Sequence, residues 1–195
     1  TYTLQGNSKI NNQLFIGTGT ILNDGGNVIT IAKDIMNNGT HTGTGKMVFA
    51  GTASQSIAGT SNIYKNIEFV SAFTVRAVSN MTVTGNLGLN PGSLTYQGVN
   101  LNLGTFTSTD SIAIYGTGNV MNTTAVGMLS VLGDTGAAKV VGLRVQTKGT
   151  IFIHRLKGVR LGGNLTCDGA LMLDSGVLDL NGFNATIGTT TTASS

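Results

Sequence analysis

The sequence predicts an all-β fold, a right-handed parallel β-solenoid (β-helix) of about ten short coils with about 19–20 residues each. Three observations carry that expectation. Residues 80–104 and 164–188 align without a gap: 10 of 25 positions are identical, and all four glycines of the second copy stand under glycines of the first. The glycines at 85, 92, 98 and 104 bound short alternating segments, namely Met81 and Val83, Leu87 and Leu89, Leu94 and Tyr96, then Val99, Leu101 and Leu103. Such period-two alternation over about five residues marks strands with one buried face. Glycine at this spacing also costs a helix about 1 kcal/mol per occurrence relative to alanine, so helix is disfavoured.

From Gly85 to Gly104 is 19 residues, the content of three strands and three turns, or one coil of a three-faced solenoid. One coil cannot bury its apolar side, whereas stacked coils share a continuous core and satisfy backbone groups between neighbours. The solenoid is expected over residues 1–188, in units of roughly 7–79, 80–163 and 164–188. The first unit is a worn copy, since Gly19 to Gly92 is 73 residues and Gly43-Thr44-Gly45 to Gly116-Thr117-Gly118 is also 73. The middle unit is longer, with 11 extra residues expected between Gly118 and Asn164. Residues 189–195 read as a Thr/Ser-rich linker or truncated end, so the chain is expected to be a piece of a longer protein or filament.

Composition narrows the function classes. Glycine and threonine each number 29 and asparagine 19, while only 10% of residues are charged, against roughly 25% in ordinary soluble domains. Threonine and asparagine therefore replace charge on the solvent side, as in secreted solenoids. A net charge of +3 names no nucleic-acid partner. The single Cys167 excludes an intrachain disulfide and, aligned with Val83, reads as a core residue. No stretch approaches the ~20 apolar residues of a membrane helix, and membrane insertion is not expected.

Asn37-Asn38-Gly39-Thr40-His41-Thr42-Gly43-Thr44-Gly45-Lys46-Met47-Val48-Phe49, Gln55-Ser56-Ile57-Ala58-Gly59, Tyr64-Lys65-Asn66-Ile67-Glu68-Phe69 and Asn80-Met81-Thr82-Val83-Thr84-Gly85-Asn86-Leu87-Gly88-Leu89 follow one another in that order. Together they resemble the repeat regions of large secreted surface proteins of Bacteroidota. The resemblance covers about residues 16–188. It implies export by the type IX route, a β-helical stalk, and a non-enzymatic extracellular role in a surface adhesin, gliding adhesins included. It also implies O-glycosylation at Ser111, since Asp110-Ser111-Ile112 fits the acceptor pattern of that phylum. The chain departs from the pattern at 119–163, where Gly116-Thr117-Gly118 is kept but the Gln-Ser-Ile-Ala-Gly phrase is lost.

No catalytic residues, metal ligands or cofactors are expected. The most unusual local feature is basic: no acid stands between Asp134 and Asp168, yet Lys139, Arg144, Lys148, Arg155, Lys157 and Arg160 hold six of the eleven cations, with His154 among them. Inserted loops on a solenoid often carry binding. This block is the expected contact site for an acidic glycan or cell-surface polysaccharide, weighed against a merely solvated outer face. Neighbouring domains or further copies are the other expected partners. Asp168, Asp174 and Asp179 have neutral counterparts in the other copy, which argues against a catalytic or calcium cluster. His41 and His154 read as surface or loop residues. The alternatives are a carbohydrate-binding or carbohydrate-cleaving β-helix and, from the Thr-x-Thr pairs, an ice-binding solenoid. Asn38, Asn80, Asn122, Asn164 and Asn184 each open an Asn-x-Thr triplet, the N-glycan acceptor pattern.

Overall fold

The computed structural model describes residues 1–188 and 190–193. The chain is a right-handed parallel β-solenoid of about nine turns with three faces. The first face stacks β1 (Tyr2–Thr3), β4 (Ile21–Asn23), β7 (Thr40–Thr42), β10 (Asn62–Tyr64), β13 (Met81–Val83), β16 (Leu101–Leu103), β19 (Met128–Gly133), β21 (Thr150–Arg155), β23 (Ala170–Ser175) and β26 (Thr190–Ala193). The second stacks β2 (Ser8–Ile10), β5 (Val28–Ile31), β8 (Lys46–Phe49), β11 (Asn66–Phe69), β14 (Leu87–Leu89) and β17 (Ile112–Gly116). The third stacks β3 (Leu14–Ile16), β6 (Ile35–Asn37), β9 (Gln55–Ala58), β12 (Val75–Ala77), β15 (Leu94–Thr95) and β18 (Val120–Asn122). Beyond these, β20 (Val140–Thr147) and β22 (Val159–Cys167) each run from the second face onto the third, turning the corner by register shifts around Gly142 and Arg144. β24 (Leu178–Asp179) and β25 (Ala185–Ile187) complete those faces.

Parallel stacking sets like residues over like. On the second face Ile29, Met47, Ile67, Leu87 and Ile114 form one inward column, and Ile31, Phe49, Phe69 and Leu89 another. All are buried, with Phe49 and Phe69 edge-to-face at 5.4 Å. The glycine register has an equally local cause. A Cβ at Gly85 would stand 2.5 Å from the Lys65 carbonyl of the coil before, and one at Gly169 would meet the Gly149 carbonyl in the same way. Gly98 and Gly182 serve differently, with φ of 73° and 81° in open turns where L side chains are strained.

Three expectations about the repeat need correction. The two aligned copies do not occupy the same face: Met81 lies on the first face, but its partner in the alignment, Leu165, lies on the third. The 84-residue step is thus three coils and two further strands. The 73-residue step fails likewise, because Gly45 sits between the first and second faces and Gly118 between the second and third. The extra residues enter only in part where expected, since 134–139 lies between Gly118 and Asn164 and 104–111 does not. They form two long corners between the first and second faces, at 104–111 and 134–139, the first of which precedes Gly118. Where a linker is expected, Thr190–Ala193 pair with β23; residues 189, 194 and 195 lie outside the described residues.

The first face has one break. β1, β4 and β7 form a three-stranded sheet, and the ladder resumes only at β10. Side-chain amides fix the corner that leads into β10. Asn37 Nδ2 donates to the Ser61 carbonyl at 2.7 Å, and Asn62 Nδ2 to that of Gly59 at 2.9 Å.

Candidate functional site

The basic block does not form one surface. Arg155 follows Ile151 and Ile153 on the inward phase of β21 and is fully buried. Its guanidinium donates to the carbonyls of Asp110, Leu132 and Ala138. Those carbonyls belong to the two long corners and the strand end beside them, so one cation clamps both insertions. Burial opposes its charge and Asp110 favours it, yet a guanidinium stays protonated in proteins. Gly104 and Gly133 make room for the clamp: a Cβ on either would fall 2.9 Å from Arg155 Nη1.

The other cations scatter. Arg144 turns the corner within β20 and donates to the carbonyls of Gly116 and Gly162. Arg160 and Lys139 both face Asp179, at 2.8 and 3.6 Å, and the Arg160 hydrogen bond holds that carboxyl below its usual range. His154 Nδ1 pairs with Asp174. Lys157 is exposed at the next corner. Lys148 is exposed as well and lines, with Asp168, a groove of about 250 Å³ bordered also by Met121, Thr123, Gln146 and Thr166. The three late acids therefore stand apart, and among the described residues no group of three or more His, Cys, Asp or Glu side chains could hold a metal.

Beside the clamp three rings lie together, one exposed and two half-buried. Phe106, on the first long corner, is 50% exposed; its ring lies 5.3 Å from that of His154, edge-on. Phe152, two residues before His154 on β21, is 6.1 Å from the same imidazole and nearly parallel to it. Asp110 bonds Lys65 through its carboxylate, and Ser111 is exposed beside it. This corner is where the solenoid departs most from its regular coil.

Two further groupings escaped the reading of the sequence. His41 is buried, not a surface or loop residue: its Nε2 lies 3.1 Å from Oδ2 of the fully buried Asp24. Asp24 Oδ1 accepts the N–H groups of Gly26 and Gly45 at 2.8 and 2.9 Å. Burial outweighs the carboxylate and lowers the His41 pKa below its ordinary value, while Tyr64, 5.8 Å away, is pushed up by burial. The signal was present in Thr40-His41-Thr42, whose alternation points His41 inward. On the second face, Lys46 pairs with Glu68, and the Tyr115 ring lies over Gly88, where a Cβ would stand 2.7 Å from its hydroxyl. Burial and the nearby Glu68 carboxylate raise the Tyr115 pKa.

The Asn-x-Thr asparagines carry structure. Asn80 Oδ1 accepts the N–H of Asn100, Asn164 Oδ1 that of Asn184, and Asn38 Oδ1 that of Thr60, each tying one coil to the next. The outward column Ile63, Thr82, Asn102, Ser130, Phe152, Met172 is not a threonine array. Among the described residues no helix is long and apolar enough to cross a membrane. Comparison with known protein families, curated proteins and solved structures returns no match to this chain.

Proposed function

We propose that the chain is a stalk segment of an extracellular bacterial adhesin or surface filament, non-enzymatic, whose task is to hold a contact surface at a distance. The observation that carries this reading is the unbroken coil-to-coil pairing of the second and third faces, from β2 and β3 to β24 and β25. At about 4.8 Å per coil, nine turns make a rod of about 43 Å. Strand pairing joins each coil to its immediate neighbours, so load along the axis is shared by repeated ladders. The resemblance to Bacteroidota surface repeats and the low charge density support an exported location. Of the basic block, Lys148 in its corner groove and Lys157 remain as exposed contacts for an acidic glycan.

Two measurements test the reading. Antibody against the chain should label intact source cells; label only after lysis would overturn the surface location. Single-molecule pulling between the ends should give force peaks with increments of about one coil. Smooth extension without peaks would remove the stalk role.

A further inference from the structure

Among the described residues, ring contacts occur at three places, and only the Phe106–His154–Phe152 group lies outside the core. We propose that this corner is a binding site for a neutral saccharide, taking the apolar face of a pyranose against its rings. The inference rests on the adhesive part of the proposed function and gives it a ligand class.

The site is built in advance of any ligand. β19, β21 and β23 are paired through it, so Phe152 and His154 project from a ladder, and Asp174 stands at the register shift where the pairing passes from Ile153–Leu173 to His154–Ser175. Phe106 sits on a long corner whose path is held by the buried Arg155 and by the Asp134 N–H donating to the Phe106 carbonyl at 2.8 Å. A corner fixed in this way loses little conformational freedom on binding, which favours affinity from a small contact.

Chemistry selects the ligand. Pyranose rings present flat C–H faces bordered by hydroxyls, so they suit a surface that alternates aromatic carbon with hydrogen-bonding groups. Here Phe106 and Phe152 supply the carbon, and the His154–Asp174 pair supplies donor and acceptor atoms at the same level. Leu156 and Met172, 51% and 40% exposed, extend the apolar rim. Most of the surrounding charges are matched, Lys139 and Arg160 with Asp179, Lys65 with Asp110, and His154 with Asp174, and outside those pairs stand one cation, Lys157, and one anion, Asp134. Little field is left to draw in an anionic or cationic polymer. Ring centroids 5.3 and 6.1 Å apart mean that the three rings pack on one another, so a sugar would lie over their outer surface and not between them. A stable protein partner would need roughly 800 Å² on this side.

The test is a backbone NMR titration of the whole chain with cellohexaose, laminarihexaose, mannohexaose and, as the acidic arm, hexagalacturonate. Saturable shifts with at least one neutral hexasaccharide are expected at residues 106, 152, 154 and 174. Phe106→Ala, a change at a half-exposed ring, should weaken that binding at least tenfold while circular dichroism and melting stay unchanged, and Phe106→Trp should restore it. No saturable shift with any neutral sugar overturns the proposal. So does a response confined to hexagalacturonate and mapped to Lys148 and Asp168, and so does undiminished binding by Phe106→Ala. Surface labelling and pulling do not depend on this outcome, so the stalk and the sugar site stand or fall separately.

Discussion

The coil at 80–104 and its copy at 164–188 share ten residues but not a face, a depth or a neighbourhood. In the first, Met81, Val83, Leu87, Leu89, Leu94, Tyr96, Leu101 and Leu103 are all buried with coils above and below. In the second, burial holds at Leu165, Cys167 and Leu171 and then fades: Leu173, Leu178, Ala185 and Ile187 are half-buried and Leu180 is 43% exposed. The copies are also rotated by one face relative to each other. Each face is a short strand followed by a tight corner, so the chain nearly repeats every third of a coil. Sequence identity therefore reports the strand-and-corner unit, while position along the rod decides what the unit contributes.

The largest effect that should separate the copies is cavity formation. Leu94 and Leu178 align, yet Leu94 is enclosed and Leu178 is not. Leu94→Ala is expected to cost about 3–4 kcal/mol and Leu178→Ala about 1 kcal/mol, because solvent and neighbours can fill the shallower site. Chemical denaturation of the two variants gives the comparison directly. Equal losses would mean that the end coil is as tightly enclosed as the middle one.

Next in size is the clamp between the copies. Arg155→Ala leaves three backbone carbonyls without donors in a buried place, each worth about 1 kcal/mol or more, so a loss of about 3 kcal/mol is expected. Hydrogen exchange should show the loss concentrated at 104–111 and 134–139, with 80–103 protected as before. A uniform loss across the rod would assign Arg155 to general stability.

These residues also show how much of the molecule was legible. Strand alternation and the corner glycines specify the solenoid, because both follow from a pleat of two and from carbonyls of one coil lying under the next. Phase was not legible, since a match of 25 residues fits any of three faces almost equally well. Nor were the insertions, because Gly43-Thr44-Gly45 and Gly116-Thr117-Gly118 look alike while turning different corners. For the site, charge misdirected the reading: Arg155 and His41 were grouped with surface residues by their type. Their alternation with Ile151 and Ile153, and with Thr40 and Thr42, already pointed them inward. Partnership by Asp174 and Asp179 was not legible at all, as it depends on which coil lies above.

A third contrast sets the N-terminal coils against both copies. His41 is held below its ordinary pKa chiefly by burial, so between that lowered value and 6.5 the unfolded chain binds a proton that the folded chain refuses. Its neutral form is accommodated above pH 6.5, and stability should decline as pH falls from there. The three-stranded start of the first face, unpaired with β10, is where that loss should appear. Melting temperature measured from pH 8 to pH 5 should drop more steeply in the native chain than in His41→Gln. Identical slopes would show that the Asp24–His41 pair does not govern acid sensitivity.

The smallest effect should be the same in both copies, and that sameness is the sharper test. Asn80 and Asn164 open the two copies, and each accepts a backbone N–H from the next coil, at 2.9 and 3.1 Å. Both bonds sit at exposed corners, where water competes and a neutral hydrogen bond is worth about 1 kcal/mol. Asn80→Ala and Asn164→Ala should each cost about that, despite the difference in depth that separates Leu94 from Leu178. If the two asparagines instead differ as the two leucines do, corner amides draw their strength from the packed interior. If they agree, the corners are independent fasteners, set by the local turn and indifferent to where along the rod the coil lies.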